Sequence, residues 1–187
     1  MKIVIFHGTD GAPEGNWFPW LKAELEKLGH EVFVPKLPTP ENQSIDSWCA
    51  ATREQVPFTF GRNTILVGHS LGATWILEIL SQPRPEPIRA SFLVSGFLGD
   101  IGQEFFDTHN HEFTHYPFDW AKIQKNAGKV TVLHGTDDPY VPTTLSEELA
   151  ENLGVRPIPI KNGGHLNAEA GYTKFPVLLK LIKEELK

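Results

Sequence analysis

The sequence predicts an α/β fold built on a mostly parallel sheet. Two observations lead there. Short β-branched apolar runs alternate with longer amphipathic segments along the chain, as successive βα units do. The 187 residues also fit one domain, 1–187, with no composition break, low-complexity tract or tandem repeat.

The elements follow in order. Lys2 to Phe6 is the first strand. Trp17, Trp20, Leu21, Leu25 and Leu28 recur at helical spacing, and Gly29 supplies the stop. Glu31 to Val34 is a second strand. Pro35, Pro38 and Pro40 then exclude regular structure. Ser44 is a plausible N-cap for a helix running to about Gln55. Thr64 to Val67 forms the third strand, with helical sequence from Leu71 to Leu80. Ile88 to Val94 is the fourth strand and Lys129 to Leu133 the fifth, followed by a helix over about Thr144–Leu153. Val155 to Ile160 is the sixth. Its prolines at 157 and 159 suit an edge, where a missing N–H faces solvent. A last helix from about Tyr172 buries Phe175, Leu178, Leu179 and Ile182. Phe97 to Pro117 reads as irregular, and a segment of that length is often a lid or binding loop.

Composition narrows the function. A formal net charge of −6 gives no basic footprint for nucleic acid and argues against an anionic membrane surface. No run reaches the roughly 20 apolar residues of a membrane span, and the N-terminal run is too short for a signal peptide. The single cysteine, Cys49, forms no internal disulfide. The expectation is a soluble cytoplasmic protein acting on a small molecule.

The chemistry centres on Gly68-His69-Ser70-Leu71-Gly72, a complete G-x-S-x-G between a strand and a helix. A sharp turn there lifts the serine oxygen above the sheet, and side chains at the glycine positions would collide with strand and helix. The plain alternative is a glycine-rich turn with Ser70 as N-cap. A serine hydroxyl needs a base, and His165, in a loop after the final strand, is the candidate. The orienting carboxylate is Asp137 or Asp138. Asp138 is preferred because Pro139 holds its backbone extended, leaving Asp137 to support the turn. The Leu71 amide and the Thr9 amide are the expected oxyanion donors. His7-Gly8-Thr9-Asp10 recurs as His134-Gly135-Thr136-Asp137, read as shared strand-end turn chemistry. His7 and His134 are then packed or hydrogen-bonded rather than catalytic. His109, His111 and His115 have the spacing of metal ligands but lack a convincing fourth partner, so no metal is assigned.

With these pieces in place the chain resembles the small serine hydrolases related to retinoblastoma-binding protein and to bacterial YdeN. The likeness spans nearly the whole chain. It rests on Gly15-Asn16-Trp17-Phe18-Pro19-Trp20-Leu21, Gly68–Gly72, Phe113–Trp120, Thr136–Pro139 and Gly163–His165. The resemblance implies a compact α/β-hydrolase, a flavodoxin-like three-layer fold without a large cap domain. It also implies a six-stranded sheet in order 2-1-3-4-5-6, helices on both faces, and a Ser70–Asp138–His165 triad. The L-x-C-x-E motif linked to retinoblastoma binding is absent, so that partner is not carried over.

The resulting expectation is hydrolysis of carboxylic ester-type bonds through an acyl-serine, without a cofactor. A thioesterase or amidase variant, and a non-catalytic binding protein on the same fold, are the alternatives. His69, Trp17, Phe113, Trp120 and Tyr140 are the expected pocket residues.

Overall fold

The computed structural model describes residues 1–187. Six strands are present: β1 (Lys2–Phe6), β2 (Glu31–Phe33), β3 (Thr64–His69), β4 (Ala90–Val94), β5 (Lys129–Gly135) and β6 (Ile158–Ile160). They form one sheet in order β2-β1-β3-β4-β5-β6, with every neighbouring pair parallel. Seven helices surround it: α1 (Phe18–Glu26), α2 (Ile45–Gln55), α3 (Leu71–Ser81), α4 (Glu104–Thr114), α5 (Trp120–Asn126), α6 (Thr143–Asn152) and α7 (Pro176–Glu185).

Parallel strands buried on both faces should be apolar throughout, and β3 and β4 are buried at every position. Alternate residues then feed two cores. Ile3, Ile5, Ile65, Val67, Phe92 and Val94 pack against α1 and α7. Val4, Phe6, Leu66, Leu93 and Val132 pack on the opposite face against α2, α3 and α6. The predicted three-layer fold, the strand order and the absence of a large cap are as observed.

Element boundaries moved where local chemistry competed. Ser44 does cap α2, in a capping box with Ser47. The fourth strand begins at Ala90 rather than Ile88, the sixth at Ile158 rather than Val155, and α7 at Pro176 rather than near Tyr172. Two prolines account for the last two shifts. Pro157 withholds a ladder donor, and Pro176 is tolerated only in the first turn of a helix. The main correction concerns Phe97 to Pro117, which contains the eleven-residue helix α4. Its buried face carries Asn110 and Thr114 beside Phe113, so the apolar period that marks a helix is broken by polar residues.

The topology places the site. The order in which successive strands are added reverses between β1 and β3, and ligands bind outside the strand C-termini at such switch points. There Phe6 pairs with Gly68, bringing the loop after β1 beside the turn after β3.

Candidate active site

Ser70 occupies the turn between β3 and α3 at φ 56° and ψ −127°. Positive φ in a serine is strained backbone, persisting only where the surroundings enforce it. The enforcement is visible. The Ser70 amide donates to the Val94 carbonyl at 2.8 Å. A Cβ on Gly68 would lie 2.6 Å from Ala73 Cα, and one on Gly72 would lie 2.6 Å from the His7 carbonyl oxygen. Both clashes are with backbone, which cannot step aside. Gly72→Ala is accordingly expected to destabilise the fold by about 1–3 kcal/mol or more, read as a lower urea midpoint.

A Cβ on Gly8 would meet Ser70 Cβ at 2.8 Å and the Leu71 nitrogen at 3.1 Å. The loop after β1 therefore closes directly onto the serine. Leu71 opens α3, so its N–H has no intrahelical acceptor. The Thr9 side chain is held by Asn110 of α4, and the next amide, Asp10, donates to Thr39 Oγ1 at 2.8 Å.

His165 lies after β6, 7 % exposed. Its Nδ1–H donates to Asp138 Oδ2 at 2.7 Å. The other Asp138 oxygen accepts the amides of Tyr140 at 2.9 Å and Val141 at 3.0 Å. That carboxylate is thus fixed on both sides, and the His165 Nε2 is left with a lone pair. Asp137 takes a different job: its Oδ1 accepts the Gly164 amide at 2.9 Å, bracing the loop that carries His165. A Cβ on Gly135 would lie 2.9 Å from the Gly164 nitrogen. The repeated His-Gly-Thr-Asp is therefore one solution used twice: a glycine at the strand end admits the neighbouring loop. Ser70 and His165 line one cavity of about 370 Å³. No direct hydrogen bond joins them, and such bonds are often loose until substrate closes them.

The serine hydrolase family model matches residues 3–184. The chain belongs to the serine hydrolase family. YdeN of Bacillus subtilis (strain 168) is 30 % identical over 183 residues, covering 97 % of this chain and 94 % of that protein. The serine hydrolase RBBP9 of Rattus norvegicus is 26 % identical over 191 residues, covering 99 % and 95 %. The crystal structure of the B. subtilis ydeN product superposes with a TM-score of 0.90 at 28 % identity, covering 99 % and 98 %.

In this serine hydrolase the cavity differs from expectation at three residues. His69 and Tyr140 line it, whereas Trp17, Phe113 and Trp120 do not. Trp17 is fully buried on the α1/α7 side, and its Nε1–H donates to the Leu166 carbonyl at 2.9 Å. It supports the His165 loop from behind. Phe113 packs against Trp48 and Trp75 inside the other core. Trp120, the first residue of α5, meets Phe118 in a tilted ring contact at 5.4 Å. The apolar walls are Phe97, Ile101, Phe106 and Val141. Phe106 and Asn110 come from α4, which roofs the cavity. Ser95 was not anticipated; its Oγ–H donates to the His165 carbonyl at 3.1 Å, from a backbone also at positive φ. A small residue beyond the fourth strand was the only signal available for it.

The three histidines on and just after α4 separate. His111 and His115 stack 4.1 Å apart and share a cluster with Asp100, whereas His109 bonds back to the Phe105 carbonyl. None of them lines the Ser70 cavity. His7 is buried and hydrogen-bonded on both nitrogens, to Gly8 O and the Leu37 amide. His134 is buried with its Nδ1 unpaired.

Burial, reinforced by the adjacent His165, holds the His69 imidazole down at about 3. The ring is therefore neutral, and its Nε2 carries the proton, because it faces the acceptor-only His165 carbonyl at 2.9 Å. The consequence for stability has a definite sign. Between about pH 6.5 and 3 the unfolded chain binds a proton at this position that the folded chain refuses. Stability falls as pH drops through that window, with His69 contributing a slope of up to about 1.4 kcal/mol per pH unit. His69→Gln should flatten the pH dependence of urea unfolding by that amount. An unchanged slope would show that His69 is protonated in the folded state.

Proposed function

We propose that this serine hydrolase cleaves carboxylic esters of small substrates through an acyl-Ser70 intermediate, with His165 as base and Asp138 as its orienting partner. The observation that carries this reading is the 2.7 Å Asp138–His165 bond, set on the same cavity as a serine in strained geometry.

The steps follow from the positions. Ser70 Oγ attacks the carbonyl carbon while its proton passes to His165 Nε2. Asp138 stabilises the imidazolium and keeps the reactive tautomer. The amides of Leu71 and Thr9 take the charge developing on the carbonyl oxygen. Collapse breaks the bond to the leaving alkoxide, which receives the proton from His165. Water then gives a proton to His165 and attacks the acyl carbon, releasing the acid and restoring Ser70. Neutral His69, next to His165, places no second positive charge against the imidazolium.

A fluorophosphonate probe tests the reading. It should label Ser70 in the native protein, not at all in Ser70→Ala, and far more slowly in His165→Ala. No labelling of folded protein would favour a binding protein on a hydrolase fold. The substrate cavity of about 370 Å³ lies near the small end of ligand pockets. Among p-nitrophenyl esters, kcat/KM should therefore peak at short acyl chains and fall for chains beyond about eight carbons. A maximum at palmitate would refute the assignment of this cavity as the acyl site.

A further inference from the structure

The turn after β1 is held from outside the Ser70 cavity. The Gly11 amide closes it on the Gly8 carbonyl at 3.1 Å, which leaves Thr9 and Asp10 as its central residues. Asp10 sits at φ 56°, a backbone state that persists in a non-glycine residue only where its surroundings hold it. The Thr9 amide donates to no backbone carbonyl, so it is free for the oxyanion role given to it above.

Two contacts fix this turn, and one side chain joins them. The Asp10 amide donates to Thr39 Oγ1 at 2.8 Å, and the Thr9 hydroxyl donates to Asn110 Oδ1. Gln43 bonds to both anchors. Its Oε1 accepts from Thr39 Oγ1 at 2.6 Å, and its Nε2 donates to Asn110 Oδ1 at 3.1 Å. Nε2 also donates to the His109 carbonyl at 2.8 Å. Thr9, Asp10 and Asn110 line the Ser70 cavity, and Gln43 does not.

The direction of every bond in this relay follows from its two backbone ends. The Asp10 N–H can only donate, so the Thr39 oxygen accepts there and gives its own proton to Gln43 Oε1. The His109 carbonyl can only accept, which sets the Gln43 nitrogen on that side. Asn110 must then turn its oxygen toward Gln43, and that same oxygen takes the Thr9 hydroxyl proton. A glutamine satisfies both ends because it carries an acceptor oxygen beside a nitrogen with two protons. A carboxylate would face two acceptors, and a hydrocarbon would bond to neither end.

We propose that Gln43 is a positioning residue for hydrolysis: acting through Thr39, Asn110 and Thr9, it holds the Thr9 amide in place for the oxyanion. This rests on the hydrolase reading above.

Hydrolysis of p-nitrophenyl butyrate tests it, with active sites counted by end-point fluorophosphonate labelling. Gln43→Glu keeps the shape but sets a carboxylate oxygen against the His109 carbonyl and Asn110 Oδ1. Its kcat per labelled site should fall about 10–100-fold, less than the roughly 10²–10³ for outright loss of an oxyanion donor, with KM within about threefold of wild type. Gln43→Met removes the bonds without reversing their polarity and should lose about 3–10-fold. A loss of folded protein alone would lower the site count and leave kcat per site unchanged. Thr9→Val removes the hydroxyl at the far end of the relay. Combined with Gln43→Met, it should lose little beyond the worse single variant, because both break one chain of contacts. Three outcomes would overturn the proposal and leave the hydrolase reading intact: kcat per site within about twofold of wild type in Gln43→Glu, a raised KM at unchanged kcat, or full multiplication of the Gln43→Met and Thr9→Val effects. A wild type that neither hydrolyses the ester nor takes up the probe would overturn that reading, and this proposal with it.

Discussion

Ser70→Ala should lower ester turnover by about 10⁴–10⁶-fold, the range over which loss of a serine nucleophile acts in a triad. With the hydroxyl gone, His165 can activate only water, and what survives comes from binding and from the Leu71 and Thr9 amides. Stability should barely change, because the backbone at 70 keeps its φ of 56°. Ser70→Gly separates the two roles of this position. Glycine adopts that geometry freely, relieving strain of about 1–3 kcal/mol against an entropic cost of about 0.5–1. The variant should be as inactive as Ser70→Ala yet more stable by about 1 kcal/mol in urea unfolding. An alanine variant retaining more than about one per cent of wild-type kcat would point to another nucleophile.

Asp138→Asn should lower kcat by about 10⁴-fold with little loss of structure. An asparagine at 138 can still accept the Tyr140 and Val141 amides through its carbonyl oxygen. Its amide nitrogen then faces His165 Nδ1, and two donors cannot bond. The imidazole shifts to the wrong tautomer and offers Ser70 an N–H instead of a lone pair. The neighbouring variant Asp137→Asn is the control. Its side-chain carbonyl still accepts the Gly164 amide, so kcat should stay within about tenfold of wild type. If Asp137→Asn proved the more damaging of the two, the roles of the aspartates would have to be exchanged.

The two aspartates also show how far the sequence reaches. Both follow β5, both precede the same proline turn, and composition cannot separate them. The preference for Asp138 came from Pro139 and from family likeness. The contacts that distinguish them, one to the His165 ring and one to the Gly164 backbone, span 27 residues of chain. The elbow is different. Gly68, Ser70 and Gly72 stand out locally because the turn needs absent Cβ atoms, and that need is written at fixed spacing.

Aromatic residues were the least legible. Trp17, Phe113 and Trp120 were expected to line the substrate cavity, yet Trp17 and Phe113 are core. A tryptophan near a motif in sequence is an ordinary core residue when its element turns the ring toward the sheet. The cavity walls instead come from Phe97, Ile101 and Phe106, on a segment that showed no regular period.

From the sequence alone came the parallel α/β architecture, the strand run, and the elbow with its serine, because these depend on period, turn chemistry and steric need within a few residues. Tertiary structure alone decided which aspartate meets His165 and which side chains wall the Ser70 cavity. Those outcomes depend on helices laid across the sheet edge, and packing between distant segments leaves no periodic trace in the chain.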